Sequence, residues 1–482
     1  MNYRMMGRFI AQILFIEGFF MLPALGISFY CGDGPAIKGF LMTLCLIFAI
    51  AGLLWLICKR APSAFYAKEG LVCVGFSWIV LSFMGCLPFY FSQEIPKLID
   101  AFFETVSGFS TTGSSVLPNV EAMTKGLLYW RSFTHWLGGM GVLVFLLAFT
   151  GGKGQGYTMH LLRAESPGPN VGKLVPKMRQ TAAILYVIYV VMTVINIIFL
   201  LAGGMSLFEA VCTAFGTAGT GGFGIKNDSI AGYSPYLQNV TTVFMALFGV
   251  NFSCYYLLLL RQFRSVFKDE ELRLYVFIIL ASTLLITLNI RDLYPTLEES
   301  IRHAAFTVST IITTTGFATT DFDLWPAFSK AIIMLLMIVG ACAGSTGGGL
   351  KVARLMLLVK SLGRNIRQIL YPRKVQVIKN NGQRVDESIL TNADAYLVAY
   401  VMILFGSFLV VSLDNFSVTT NFTAVLACFN NIGPGLEAVG PTCNFSGFST
   451  LSKLVLCFDM LAGRLEIFPM LVLFSGSTWR RK

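Results

Sequence analysis

Ser107-Gly-Phe-Ser-Thr-Thr-Gly113 closes a short apolar segment that begins near residue 98, and three later stretches close the same way. They are Ala214-Phe-Gly-Thr-Ala-Gly-Thr-Gly221-Gly-Phe, Val308-Ser-Thr-Ile-Ile-Thr-Thr-Thr-Gly316-Phe and Ala427-Cys-Phe-Asn-Asn-Ile-Gly433-Pro-Gly. In each, a short apolar helix gives way to small polar residues and then to glycine. One Thr-Thr-Gly means little, because threonine and glycine are common wherever membrane helices pack. Four at equivalent places in one chain are an internal repeat, which decides the architecture.

The surroundings of these stretches are apolar. Of 482 residues, 55% are hydrophobic and 13% charged. Soluble domains carry about 25% charge, so a soluble multidomain enzyme is excluded, and so is disorder, which needs low hydrophobicity and high charge. Spanning a bilayer takes about 20 apolar residues in a helix. Ten stretches meet that length: 8–30, 37–57, 69–91, 126–150, 178–203, 236–260, 272–290, 326–360, 389–413 and 451–478. The segments 98–110, 206–218, 300–313 and 419–430 reach only roughly 20 Å as helices and are too short to cross. They are loop helices or re-entrant half-helices.

Charge decides where the short segments go. If they do not cross, the N-terminus and 59–68, 151–179, 261–273, 351–385 and 480–482 share a side with 26 of the 36 Lys+Arg and 8 acids, and the other side holds 9 Lys+Arg and 14 acids. If they cross, the loops 151–179 and 351–385 change sides and the bias vanishes. Cytoplasmic loops are the basic ones. The segments therefore dip in from outside and return, and the net charge of +11 belongs to cytoplasmic loops, with no need of nucleic acid. The expected fold is an all-α polytopic membrane protein. Four pseudo-symmetric helix–pore-helix–helix repeats (69–177, 178–270, 271–387 and 388–482) surround a central pore, after two extra N-terminal helices in 1–68.

Irregular backbone at membrane depth survives only against protein or a water-filled cavity. Glycine opens backbone angles closed to other residues. Four such turns around one axis can stack rings of carbonyl oxygens that replace a monovalent cation's water shell, and the negative ends of the half-helices favour a cation there. The expected filter residues are Thr111, Thr112 and Gly113; Gly219, Thr220 and Gly221; Thr314, Thr315 and Gly316; and Asn431, Ile432 and Gly433. Ile432 and Pro434 make the symmetry only approximate.

A second break is expected in Gly340-Ala-Cys-Ala-Gly-Ser-Thr-Gly-Gly-Gly349, where five glycines each cost a helix about 1 kcal/mol against alanine. A phosphate-binding loop is a poor reading, since Gly-Lys-Ser/Thr and a preceding strand are both missing. An inert kink is the plain alternative. Arg464 lies deep in the last span, where an ionisable group marks function; the plain reading there is a buried pair with Glu17, Asp459 or Glu466. The acids of the outer side, among them Glu104, Glu209, Asp321, Asp323 and Glu437, can concentrate cations at a mouth or be ordinary loop charges. Glu104 and Glu209, inside half-helices, are expected to make structural hydrogen bonds near the filter. His135, His160 and His303 are scattered and read as structural. Most of the eleven cysteines lie in apolar runs; only Cys31 and Cys443 fall where a bridge could form. The basic loop 351–385 can face anionic lipid or a regulator.

These four loops together resemble the Trk/Ktr/HKT superfamily of potassium transporters. Ser107-Gly-Phe-Ser-Thr-Thr-Gly113 is similar to the family's first pore loop, and Thr220-Gly-Gly-Phe223, Thr315-Gly-Phe317 and Asn431-Ile-Gly-Pro-Gly435 to the other three. The two extra helices and the length resemble the TrkH/TrkG branch. The resemblance implies potassium uptake through the pore, with potassium as the bound ion and no organic cofactor. It implies a homodimer in the bacterial inner membrane with both termini cytoplasmic, docked on a cytoplasmic ring of nucleotide-binding, TrkA-like subunits. It also implies that Gly340, Gly344, Ser345, Thr346, Gly347, Gly348 and Gly349 form an intramembrane gate with Arg464 below the filter. Plant relatives with serine in the first loop favour sodium, so four glycines imply potassium, with modest selectivity because no loop carries a full TVGYG. The alternatives are an ion-coupled secondary transporter, whose repeats are usually fewer and larger, and a membrane enzyme, which would need convergent His, Ser or carboxylate groups that the chain does not supply.

Overall fold

The computed structural model describes residues 2–59, 67–141 and 178–479. The loops 59–68 and 151–179, the end of the span 126–150, His160 and the basic C-terminal residues lie wholly or partly outside them. The fold is all-α and polytopic, and among the described residues it carries one short hairpin, which pairs β1 (Lys379–Asn380) with β2 (Gln383–Arg384).

Two apolar helices, α1 (Tyr3–Cys31) and α2 (Gly34–Ile57), come first and pack on each other. Four units of long helix, short helix and second helix follow. They are α3 (Ala67–Phe91), α4 (Leu98–Phe109) and α5 (Lys125–Gly139); α6 (Met178–Ala202), α7 (Leu207–Gly219) and α8 (Pro235–Phe248), the last continued by α9 (Phe252–Leu259) and α10 (Phe263–Phe267); α11 (Glu270–Ile290), α12 (Leu297–Ile312) and α13 (Ala327–Val339), continued by α14 (Val352–Leu370); and α15 (Glu387–Val411), α16 (Val418–Phe429) and α17 (Thr450–Arg464), continued by α18 (Phe468–Phe474) and α19 (Gly476–Trp479). The short helices start where the sequence offers caps. Ser206, Thr296 and Ser417 accept backbone N–H groups of the first turns of α7, α12 and α16, satisfying donors that a helix leaves unpaired.

The units are joined in a ring. The second helix of each packs against the short helix of the next: α5 on α7, α8 on α12, α13 on α16, and α17 back on α4. Large aromatic side chains fill the first joint, where Phe133 stacks on Trp136 at 5.6 Å and meets Phe215 at 5.2 Å. The helices α1 and α2 lie outside the ring, against α3, with α1 also touching α5.

Six helices among the described residues are long and apolar enough to cross a membrane: α1, α2, α3, α6, α11 and α15. The second spans differ from expectation. The stretch 236–260 is not one straight helix, since α8 and α9 meet at 90°. Gly249 ends α8, and the Asn251 side chain caps α9 by accepting from the Ser253 N–H at 2.9 Å. The stretch 451–478 also breaks, at Glu466 and Ile467, both with positive φ, just before Pro469.

Candidate functional site

The four short helices end in one local structure. The N–H groups of Thr111, Thr220, Thr314 and Asn431 bond back three residues, to Gly108, Thr217, Ile311 and Cys428, at 3.0–3.2 Å. Those of Thr112, Gly221, Thr315 and Ile432 bond back five residues, to Ser107, Gly216, Thr310 and Ala427, at 2.8–2.9 Å. This is the Schellman ending, with its left-handed position held here by three threonines and an asparagine, at φ of 53–58°.

This pattern fixes the register and corrects one expectation. Gly219 is the last helical residue of α7. The turn of the second repeat is therefore Thr220-Gly221-Gly222, not Gly219-Thr220-Gly221. Gly222, with φ +73°, matches Gly113 (+85°), Gly316 (+84°) and Gly433 (+104°). The sequence could not separate two adjacent glycines; the hydrogen bonds do.

The four turns meet. A Cβ placed on Gly113 would lie 2.0 Å from the carbonyl oxygen of Gly221. One on Gly222 would lie 2.0 Å from that of Thr315, one on Gly316 2.2 Å from that of Ile432, and one on Gly433 2.9 Å from that of Thr112. Each glycine thus lets the next loop's carbonyl approach to contact, and the cycle closes. Above it lies a cavity of about 150 Å³ bordered by Gly113, Gly222, Gly316 and Gly433.

Buried side chains hold the turns in place. The Nδ1 of His135 lies 2.8 Å from the carbonyl of Gly108, and its Nε2 accepts from the Phe223 N–H at 3.3 Å. One ring nitrogen donates and the other accepts, so the imidazole is neutral. Glu104, expected to make structural bonds, pairs with Arg131 at 2.6 Å and accepts from the Val116 N–H at 2.9 Å. Arg131 also lies over the Phe223 ring at 3.5 Å and donates to the carbonyl of Gly224 at 2.9 Å, so the pair ties loop one to loop two. The Asn431 amide donates to Thr112 Oγ1 at 2.9 Å. Glu209 instead caps the start of α7 through a capping box with Ser206. Glu437, in the fourth loop, accepts from Ser417 and Thr420 hydroxyls, and the Ser417 bond holds its carboxyl below the ordinary range.

Below the turns, the glycine stretch is the expected break. Residues 340–351 are non-helical, with positive φ at Gly340, Gly344, Gly349 and Lys351. The loop runs beneath the ends of two short helices: a Cβ on Gly347 would lie 2.9 Å from the Thr313 carbonyl, and one on Gly348 2.5 Å from that of Asn430. The Gly348 N–H donates to the Thr314 hydroxyl at 2.7 Å. Cys342 N–H bonds to the Gly249 carbonyl and the Gly344 carbonyl accepts from Phe252 N–H, both at 3.1 Å, so the loop fills the α8–α9 bend. Ser345 donates to the Cys342 carbonyl at 2.6 Å, and Lys351 Nζ to that of Gly347.

Arg464 ends α17 at this level. Its guanidinium donates to the carbonyl of Thr346 at 2.8 Å, to that of Gly139 at 2.6 Å and to that of Gly138, with the Thr111 hydroxyl at 3.4 Å. Two of the acids proposed as its partners are engaged elsewhere: Glu466 with Arg354 at 2.5 Å, and Asp459 with the Ser407 hydroxyl at 2.7 Å. Glu17 is buried beside Gly85 and α4, and its carboxylate oxygens have no hydrogen-bond partner.

His303 bonds to the Thr319 hydroxyl at 2.9 Å and stacks on Tyr294. Cys31 and Cys443 are both free and exposed. Among the described residues no cluster of His, Cys, Asp or Glu could hold a metal ion. Sequence reasoning did not single out Gly222, Arg131, Glu271 or the Asn251 cap. The last had a visible signal, a glycine two residues before a capping asparagine.

A ring of four half-helices whose carbonyl-lined turns converge above a buried guanidinium defines a membrane protein built to pass a cation. The model of the TrkH family, described as "Cation transport protein", matches residues 36–481, and the chain belongs to this family. It is 35% identical to the Trk system potassium uptake protein TrkH of Salmonella typhimurium over the full length of both. It is 29% identical to the TrkG protein of Escherichia coli K12 over 95% of each. The crystal structure of the potassium transporter TrkH from Vibrio parahaemolyticus superimposes over the whole of both chains with a TM-score of 0.89 at 29% identity. The resemblance carried by the four loops is thus to the family found, which is one of transport and not of catalysis.

Proposed function

We propose that this chain takes up potassium through the axis of the ring, with Thr111-Thr112-Gly113, Thr220-Gly221-Gly222, Thr314-Thr315-Gly316 and Asn431-Ile432-Gly433 as the selectivity filter. The observation that carries this reading is the closed cycle in which the next loop's carbonyl oxygen occupies the space that a Cβ on each of four glycines would need. Backbone oxygens so arranged can take the place of the ion's hydration shell, and four helix C-termini aimed at one place add partial negative charge. Thr112, Gly221, Thr315 and Ile432 supply equivalent carbonyls, so the unlike side chains at this level do not alter the ring itself.

The barrier in this reading is the loop 340–349 together with Arg464. An ion leaving the filter meets a fixed positive charge, and the carbonyls of Gly138, Gly139 and Thr346 that could ligate it are occupied by that guanidinium. The four repeats are 69–177, 178–270, 271–387 and 388–482, with 1–68 outside them. The chain works as a homodimer in the bacterial inner membrane with both termini in the cytoplasm, in keeping with its basic loops. A cytoplasmic ring of nucleotide-binding subunits moves the gate. The names of the relatives, which place them in a Trk system, support a partner.

Rubidium uptake into liposomes holding the purified chain tests the reading. Uptake that competes with potassium, and that loses its preference for potassium over sodium in Gly113→Ser, is the expected result. Absent flux, or flux indifferent to that substitution, refutes it.

A further inference from the structure

The start of α11 carries three consecutive acids, the N-cap Asp269 and then Glu270 and Glu271; the first two share a partner and the third has another. Glu271 is buried, 8% exposed. One oxygen of its carboxylate, Oε1, accepts two backbone N–H groups: that of Ala343 at 2.6 Å and that of Ala353 at 3.1 Å. These residues stand on either side of the run Gly344–Gly349. A single atom thus staples the two ends of the glycine-rich loop, alongside the bonds that its backbone makes to Gly249, Phe252, Thr314 and Arg464.

The other two acids reach a different element. At the tip of the hairpin β1–β2, Asn381 and Gly382 both have positive φ, as a two-residue turn of this kind requires. The Asn381 side chain accepts from the Glu270 N–H at 2.9 Å and donates to Asp269 at 2.7 Å, and its own N–H donates to Glu270 at 3.1 Å. Lys360, on α14, also pairs with Glu270. The hairpin tip therefore caps the same helical turn whose next residue holds the loop.

We propose that Glu271 is a positioning residue that keeps the loop 340–349 closed, and that the hairpin tip, through Asn381, sets the position of Glu271. A load on the segment between α14 and α15 is then transmitted to the loop through one turn of helix. The idea that this movement opens a pathway rests on the gate reading above; the staple itself does not. Shifting the first turn of α11 separates Glu271 from at least one of its two N–H donors, because one oxygen at a fixed point cannot follow both.

Cys342 gives a direct readout. It adjoins Ala343, is 1% exposed and is free. Maleimide labelling of the full-length protein in liposomes, read peptide by peptide by mass spectrometry, reports the loop. Cys428, buried beside the filter turn of the fourth repeat, reports the rest of the pore. In Glu271→Ala, labelling of Cys342 is expected to speed up about tenfold while Cys428 stays protected. Glu271→Gln keeps a carbonyl acceptor and should label like the parent. Asn381→Ala should speed Cys342 in the same direction, to a smaller extent. Unchanged Cys342 in Glu271→Ala, equal labelling in the Gln and Ala variants, or joint exposure of Cys428 overturns the staple. Unchanged Cys342 in Asn381→Ala overturns the link to the hairpin. Rubidium flux in Glu271→Ala separates the two levels: faster labelling without faster flux leaves the staple standing and removes the gate.

Discussion

Arg464 donates a hydrogen bond to the carbonyl of Thr346 at 2.8 Å, so the end of α17 in the fourth repeat holds the glycine loop of the third under the four glycine-bearing turns. The same guanidinium reaches the C-terminal carbonyls of α5 in the first repeat. One side chain thereby ties together three of the four repeats.

Removing it should open the passage. Arg464→Ala is expected to raise rubidium flux in liposomes without any partner protein by about tenfold or more, since tenfold needs only about 1.4 kcal/mol and each hydrogen bond to a charged group is worth about 1.5–3 kcal/mol. Arg464→Lys, which keeps the charge but not the fork of donors, should fall between. Equal flux in all three would remove Arg464 from the barrier.

The register of the second turn is testable by glycine. Gly222→Ser should lose potassium preference as Gly113→Ser does, because both sit against a neighbouring carbonyl at 2.0 Å. Gly221→Ser would instead drive its Cβ to 2.3 Å from the His135 ring; all three substitutions crowd their neighbours and should lower the yield of folded protein, but in the protein that folds only Gly113→Ser and Gly222→Ser should lose the preference. Retained selectivity in Gly222→Ser, measured by competition of sodium against rubidium, would refute the assignment.

Thr314 links the third glycine-bearing turn to the loop through its hydroxyl, which accepts from the Gly348 N–H at 2.7 Å. Thr314→Val leaves the buried Gly348 N–H without an acceptor, at a cost of about 1–3 kcal/mol, and should raise basal flux. Thr314→Ser keeps the oxygen and should behave as the parent. The check is the ratio of the two fluxes at equal protein incorporation.

The Glu104–Arg131 pair, buried at 2.6 Å, should matter for stability more than for rate. Arg131→Ala strands a buried carboxylate and is expected to cost about 3–5 kcal/mol, seen as a lower unfolding midpoint in detergent. Glu104→Gln, which still accepts from Val116, should cost less.

Glu437 sets a sign for acid. Its folded value lies below the ordinary one because the Ser417 hydroxyl, and then that of Thr420, favour the carboxylate. Its contribution is present above the unfolded value and is lost as pH falls through the folded one. The melting temperature should therefore fall with acidification in that window, and Glu437→Gln should flatten the fall. An unaltered profile in the variant would dismiss the contribution.

What the sequence determined by itself was local and periodic. Twelve to sixteen residues cannot cross a bilayer, so α4, α7, α12 and α16 were legible from length. Five glycines in ten residues cannot stay helical, so the break at 340–351 was legible too. The bias of basic loops pointed to half-helices that enter and return. Tertiary structure decided what depends on partners far away in the chain. Arg464 and Thr346 are 118 residues apart, and Arg464 and Thr111 353. Nothing in the Arg464 neighbourhood named carbonyls rather than an acid as its ligands. The staple at Glu271 likewise came from a loop more than seventy residues away, whereas the choice of Gly222 over Gly221 came from the backbone hydrogen bonds that end α7. Propensity, length and charge act along the chain, whereas a backbone oxygen becomes a ligand only when packing has brought its donor within 3 Å or so.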